Sequence, residues 1–200
     1  MLYRVQRPPC PENYPPVYYY DPYFYSMLSI NKEYFLSPPE ERDVPFYLEF
    51  LNDKEISERT LTIPFPYTER DARLYLEFCV NKKKEFGREM SWIIRNGKGE
   101  LCGGISWHGK YPNQPHREEV GYWLARPYWN RGVMSNALER FCEYGFSECG
   151  YHRIEAPIFD FNHASQRVAE KCGFTKEGVM HKAYFKEGKF IDGVMYVLTR

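Results

Sequence analysis

An α/β (α+β) domain, with helices on both faces of one mixed sheet, is the fold class the sequence predicts. Strand-like runs alternate with runs of helical period from residue 33 to the C-terminus, and 200 residues, 43% hydrophobic and 27% charged, suffice for one core. Lys+Arg and Asp+Glu both number 27, so the formal net charge is zero. A neutral chain has no basic field to hold a phosphate backbone or an anionic bilayer, which argues against nucleic acid and membranes as partners. The longest apolar run, Val194–Leu198, is far short of the ~20 residues of a spanning helix. Residues 1–12 are broken by Arg4, Gln6, Arg7 and three prolines, unlike a secretory signal, so a cytoplasmic location is expected. The six cysteines form no C-x-x-C pair, and no His or Cys stand at zinc-ligand spacing. They read as reduced and mostly buried, and no metal is expected.

Residues 1–30 hold 7 of the 18 Tyr and 6 of the 15 Pro but only four charged side chains. Proline fixes its own φ and keeps its predecessor extended, so this Tyr/Pro-rich N-terminal arm is expected to be irregular or polyproline-like. Its aromatics either complete the domain surface or form an interface, such as a homodimer contact. The domain proper is placed at residues 31–200. Glu33–Leu36 reads as a short strand. Asp43 is placed to cap a helix with Pro45 in its first turn and Val44, Tyr47, Leu48 and Leu51 on one face. Thr68 opens a second helix through T-E-R-D, a near capping box, with Ala72, Tyr75, Leu76, Cys79 and Val80 as its apolar stripe. Met90–Arg95 and Glu100–His108 read as strands joined by an N-G-K-G turn, followed by a strand at Glu118–Ala125. Asn136–Phe146 reads as a helix with Leu138, Phe141, Cys142 and Gly145 inward, and Arg153–Phe159 as a strand. Ala164–Cys172 is a last helix stopped by Gly173, and Tyr184–Lys186 and Val194–Thr199 close the chain as strands.

Two segments carry chemistry. In Val120-Gly-Tyr-Trp-Leu-Ala-Arg-Pro-Tyr-Trp-Asn-Arg-Gly-Val-Met-Ser-Asn-Ala-Leu138 a strand ends, a loop turns at Pro127, and a helix begins just after Gly132. The N–H groups of a helix start are unpaired and lie at the positive end of its dipole, so such a loop either receives a phosphate or serves only as a tight connection. It is neither a Walker loop nor a G-x-G-x-x-G turn. The second segment is Asn162-His-Ala-Ser-Gln-Arg-Val-Ala-Glu-Lys-Cys-Gly-Phe174.

Together with I-P-F-P-Y-T-E-R-D-A at 63–72, these segments make the chain from about residue 33 to 200 resemble the GNAT superfamily of acyl-CoA-dependent N-acetyltransferases. In particular it looks like the branch that includes ribosomal-protein N-terminal acetyltransferases. The resemblance implies a sheet whose central strands splay to admit the pantetheine arm of acetyl-CoA, with the pyrophosphate on the amides of Asn130, Arg131, Gly132, Val133, Met134 and Ser135. It further implies that the backbone of Leu124 and Arg126 pairs with the pantetheine amides and that Asn162 hydrogen-bonds the arm. The expected activity is acetyl transfer to a primary amine: a protein or peptide N-terminus, a lysine or a small amine. The rival reading is a catalytically weak CoA-binding or protein-interaction module. Three positions depart from the family pattern: Trp129 where Gln or Arg is usual, Met134 where a small residue is usual, and Ala169 where a Tyr often protonates the departing thiolate.

An alkyl ammonium must lose a proton before it attacks a thioester, and a carboxylate acting through water can take it. The resemblance makes Glu119 the candidate base, since it precedes Gly121-Tyr122 on the central strand where family members often place one; Glu118 alternates to the opposite face, so only one of the two can point toward the cleft. The alternative is that Glu119 is a cross-strand partner for a cation. Ser165, three residues after Asn162, either donates a proton to the thiolate or satisfies a first-turn N–H of its own helix. His108, at the end of G-G-I-S-W-H, either lines the acceptor cleft or sits at the surface. Bound reactants held in place could also carry most of the rate without either side chain.

Overall fold

The computed structural model describes residues 27–111 and 113–200. Most of the N-terminal arm, with Cys10, lies outside the described residues. The arm's last residues are not irregular as expected: β1 (Leu28–Ser29) pairs antiparallel with β2 (Tyr34–Ser37). Three helices follow: α1 (Val44–Leu51), α2 (Lys54–Glu58) and α3 (Glu69–Phe86). Then come β3 (Ser91–Asn96), β4 (Leu101–Trp107), β5 (Arg117–Leu124), α4 (Val133–Ser147), β6 (Arg153–Phe159), α5 (His163–Lys171), β7 (Thr175–Lys186) and β8 (Lys189–Thr199). The strands form one sheet in the order β1-β2-β3-β4-β5-β6-β8-β7, antiparallel except between β5 and β6.

Helices cover both faces, as the sequence predicts. Ala137, Leu138, Phe141 and Cys142 of α4 pack with Trp92, Ile94, Ile105 and Trp107 on one face. Tyr47 and Leu51 of α1 and Ala72 and Leu76 of α3 pack with Ile93 and Leu101 on the other. Gly145 lets α4 lie close to the sheet, since a Cβ there would come within 2.9 Å of the Trp107 ring, which itself stacks on Phe141 at 4.1 Å. Thr68 and Asp71 form the expected capping box of α3. Its buried stripe is narrower than expected, because Val80 is 52% exposed.

Two elements escape the periodicity. The five-residue α2 is shorter than a helical window, and its start is held by the Asp53 carboxylate accepting from the Glu55 N–H. Strand β7 runs nine residues upstream of the expected start at Tyr184, through T-K-E-G-V-M-H-K-A. As the edge strand, largely exposed, it shows no apolar alternation.

Asp43 precedes α1 but makes no side-chain cap. Its carboxylate is claimed instead by Arg95 of β3, whose Nη1 and Nη2 donate to it at 2.6 and 2.9 Å. Arg95 is fully buried, and its other donors reach Ser37 Oγ and the carbonyls of Pro38 and Gly99. This network ties β2, β3 and α1 together. A buried charge tolerates no loss of its partner. Asp43→Ala is therefore expected to cost about 3–5 kcal/mol in denaturant unfolding, whereas replacing both residues by apolar ones of similar volume should cost much less.

Candidate active site

Strands β5 and β6 run parallel and pair at only three positions: Arg117 with Arg153, Glu118 with Ile154 and Glu119 with Glu155. Beyond these, β5 keeps its ladder with β4 to Leu124 and β6 keeps its ladder with β8 to Phe159, while the two strands part. Pro157 gives a local reason. The Arg153 N–H bonds to the His116 carbonyl on the β5 side, and the Asp160 N–H to the Asp192 carbonyl on the β8 side. Odd-numbered residues of β6 therefore turn their backbone groups toward β5. Pro157 is the next such residue after Glu155, and it has no N–H to give. On β5, Glu119 and Ala125 bond to His108 and Cys102 beside β4, so the even-numbered residues face β6; the Val120 N–H closes the last ladder pair, which leaves the Val120 carbonyl, both backbone groups of Tyr122 and the Leu124 N–H facing the gap. Backbone groups freed from a ladder need other partners, and a chain of amides threaded between the strands would supply them.

The gap opens into a cavity of about 710 Å³. Glu119 lines it and is nearly fully buried, with both carboxylate oxygens engaged. His108 Nδ1 lies 2.6 Å from Oε1, and Lys110 Nζ donates to Oε2 at 2.7 Å. The cationic partnership that the sequence left as an alternative is thus present. Burial pushes the Glu119 carboxyl up, but His108 and Lys110 more than reverse this and hold it below the ordinary carboxylate range. Glu118 turns the other way and accepts from the N–H groups of Gly109, Lys110 and Glu119. Glu155, beside Glu119 at the last ladder pair, is compensated by Arg117, by Arg153 at 2.6 Å and by the Tyr111 hydroxyl at 2.6 Å. Burial raises its carboxyl, and these partners lower it below the ordinary range.

On the α5 side of the cavity, Asn162 caps the helix: its Oδ1 accepts from the Ser165 N–H and from Arg59 Nη1, each at 3.2 Å. The Ser165 hydroxyl is not spent on its own helix. It donates to the Tyr122 hydroxyl at 2.9 Å, and both residues line the cavity. Burial pushes the Tyr122 phenol up, so it stays protonated at neutral pH. Ala169 is fully buried in the core, so the phenol at this cleft comes from β5 rather than from α5.

The start of α4 fits an anion. Asn130 (φ 58°) and Gly132 (φ 74°) are both left-handed, α4 has no side-chain cap, and a Cβ on Gly132 would meet nothing within 4 Å. The first intrahelical bond runs from the Asn136 N–H to the Gly132 carbonyl, which leaves the N–H groups of Val133, Met134 and Ser135 without helical partners. The side chains of Val133 and Met134 are buried in the core, so a Met in place of a small residue does not obstruct the loop. Trp129 Nε1 donates to the Leu124 carbonyl at 2.7 Å, and the Trp129 N–H bonds to the Arg126 carbonyl at 3.1 Å. The contacts expected of the Leu124 and Arg126 backbones are narrowed to the groups these bonds leave free. The Arg126 side chain is held by Asp53 at 2.6 and 2.7 Å.

Residues 34–175 match the acetyltransferase (GNAT) domain family. This chain is a GNAT acetyltransferase. The Bacillus subtilis uncharacterized N-acetyltransferase YnaD is 35% identical over 133 residues, which is 66% of this chain and 74% of that protein. A second from the same organism, YoaA, is 34% identical over 114 residues, 56% of this chain and 64% of its own length. Relatives named for ribosomal-protein acetylation are also found, in keeping with the branch the sequence resembles. The crystal structure of the microcin C7 self-immunity acetyltransferase MccE, in complex with acetyl-CoA and AMP, superposes with a TM-score of 0.76. It covers 88% of this chain and 97% of that one, and at 23% identity it speaks for the fold alone.

Within this GNAT domain, sequence reasoning passed over Pro157, Tyr122 and Lys110. A proline inside a strand was a visible signal. The other two depend on contacts across 43 and 9 residues of chain.

Two outcomes follow from this geometry. Gly132→Val should lower both thermal stability and acetyl-CoA affinity, because a β-branched residue is strained at positive φ. Gly132→Asn, which tolerates that conformation, should keep most of the stability and still lose affinity in a titration; unchanged affinity would make the loop a mere connection. Glu119 and Glu155 are both held below their ordinary values, so each contributes stability that is present above about pH 4.5 and lost as pH falls through its folded value. Acid unfolding followed by circular dichroism should be less steep in Glu155→Gln than in the parent.

Proposed function

We propose that the protein transfers an acetyl group from acetyl-CoA to a primary amine, on a protein or peptide N-terminus, a lysine or a small molecule, by direct attack on the thioester. The observation that carries this reading is the parting of β5 and β6 beside the uncapped start of α4. The Val120 carbonyl, the Tyr122 backbone groups and the Leu124 N–H, left without ladder partners, suit an amide-bearing arm, and the Asn130–Ser135 loop suits its pyrophosphate. Asn162 borders the same cavity. The complex of MccE with acetyl-CoA supports the choice of donor. Cytoplasmic action without nucleic acid or membrane belongs to the proposal; among the described residues no helix is long and apolar enough to cross a membrane.

The amine gives up one proton on the Glu119 side of the cavity, and its nitrogen then attacks the acetyl carbon. The N–C bond forms, the C–S bond breaks, and the sulfur leaves with the electron pair. The second amine proton ends on the thiolate, relayed by Ser165 and Tyr122, whose hydroxyls lie 2.9 Å apart. The alternative, a catalytically weak CoA-binding or protein-interaction module, rests on Trp129, Ala169 and the Tyr/Pro-rich arm. Trp129 has a wall-building role through its bond to Leu124, and Tyr122 supplies the phenol that Ala169 lacks.

Acetyl-CoA at a hundredfold excess over its Kd is expected to stabilise the fold by about 2.7 kcal/mol. The absence of any melting shift at millimolar acetyl-CoA would overturn the assignment. Ser165→Ala and Tyr122→Phe should each lower kcat in a CoA-thiol release assay while leaving the Kd for acetyl-CoA nearly unchanged, since their proton transfer matters only as the thioester breaks.

A further inference from the structure

Within the reaction proposed above, the identity of the atom that takes the first amine proton follows from the surroundings of Glu119. Both of its oxygens already hold cationic or ring donors at 2.6 and 2.7 Å, from His108 and Lys110. A carboxylate so engaged and held below its ordinary range is a weak proton acceptor. His108 is differently placed. Its Nδ1 is tied to Glu119, and its Nε2 lies over Gly121, where a Cβ would come within 2.3 Å of it. Gly121 is the second residue past the last β5–β6 ladder pair, so the imidazole fills the space a side chain would take just where the strands part. The ring lines the cavity and is 40% exposed, which gives a captured proton a route to solvent.

We infer that His108 Nε2 accepts the amine proton and that Glu119 is a positioning residue, holding Nδ1 and fixing which ring nitrogen is free. An Nδ1–H bonded to a carboxylate leaves the Nε2 lone pair open, the arrangement a general base requires. The proton moves from the ammonium nitrogen to Nε2 and then to water, and the freed lone pair forms the N–C bond. Among the described residues, Glu119 of β5 holds the ring, and Lys110 of the same loop holds the other oxygen of that carboxylate. Tyr184 of β7 and Asp71 of α3 stand elsewhere on the cavity wall, and Glu118 holds the loop through the Gly109 and Lys110 N–H groups.

The full chain is assayed with acetyl-CoA and a panel of benzylamine, spermidine and a short peptide bearing a free N-terminus and a lysine. His108→Gln is expected to lower kcat about a hundredfold or more and to remove the acid limb of the pH–rate profile, with the acetyl-CoA Kd changed less than about twofold. Glu119→Gln, which takes away only the anion that anchors Nδ1, should cost less and keep an acid limb. Gly121→Ala, which displaces the ring, should reproduce the His108→Gln phenotype. If His108→Gln keeps the parent profile while Glu119→Gln loses its acid limb, Glu119 is the base and the inference is overturned. Nitrogen-15 NMR of the free enzyme tests the same point without an acceptor: an Nδ1–H tautomer at neutral pH is expected, and an Nε2–H tautomer overturns the inference. Failure of acetyl-CoA to bind, by contrast, would strike the proposed function itself.

Discussion

Everything the site does depends on β5 and β6 ceasing to pair after Glu119 and Glu155. A continuous ladder would consume the backbone groups of Val120, Tyr122 and Leu124 within the sheet and leave no opening. The interruption costs hydrogen bonds, and Pro157 removes one of them in advance by having no N–H on the β5 side. Because β4 and β8 continue to brace the two strands from outside, the sheet can part at its centre without losing either half.

The last pair before the gap sets two carboxylates next to each other, an arrangement that is unfavourable by itself. Each is neutralised by its own set of partners: His108 and Lys110 for Glu119, and Arg117, Arg153 and Tyr111 for Glu155. The network is therefore both a structural stop and the electrostatic edge of the cavity. It brings an imidazole held by one nitrogen to the point where the strands separate, while Ser165 and Tyr122 bring hydroxyls from the other side. Imidazole and carboxylate thus stand on one side of the cavity and hydroxyls on the other.

The loop before α4 shows how a departure from a family pattern can be absorbed. The Trp129 indole fills a hydrogen-bonding role at Leu124 and stacks 4.8 Å from the Arg126 guanidinium, which Asp53 and Glu55 hold in place. The region from α2 to the loop is thereby one connected wall. Met134 turns its side chain into the core, where extra volume is useful, and leaves only its amide at the loop.

The sequence by itself determined the fold class, most of the elements, and the segments around Gly132 and Asn162, because helical period, capping residues and turn glycines act within a few residues of chain. It also marked Glu119 and Ser165 as residues to follow. It could not show that Asp43 serves Arg95 rather than α1, since that ion pair spans 52 residues and is decided by burial. Nor could it show β7, whose strand character comes from pairing with β8 and not from its own alternation. Only the tertiary structure decided what Glu119 touches, which side of β6 Pro157 leaves without a donor, and which phenol stands beside Ser165. Each of these depends on the register between distant strands, and register is set by the packing of the whole sheet, where a shift of one residue would turn every one of these side chains to the other face.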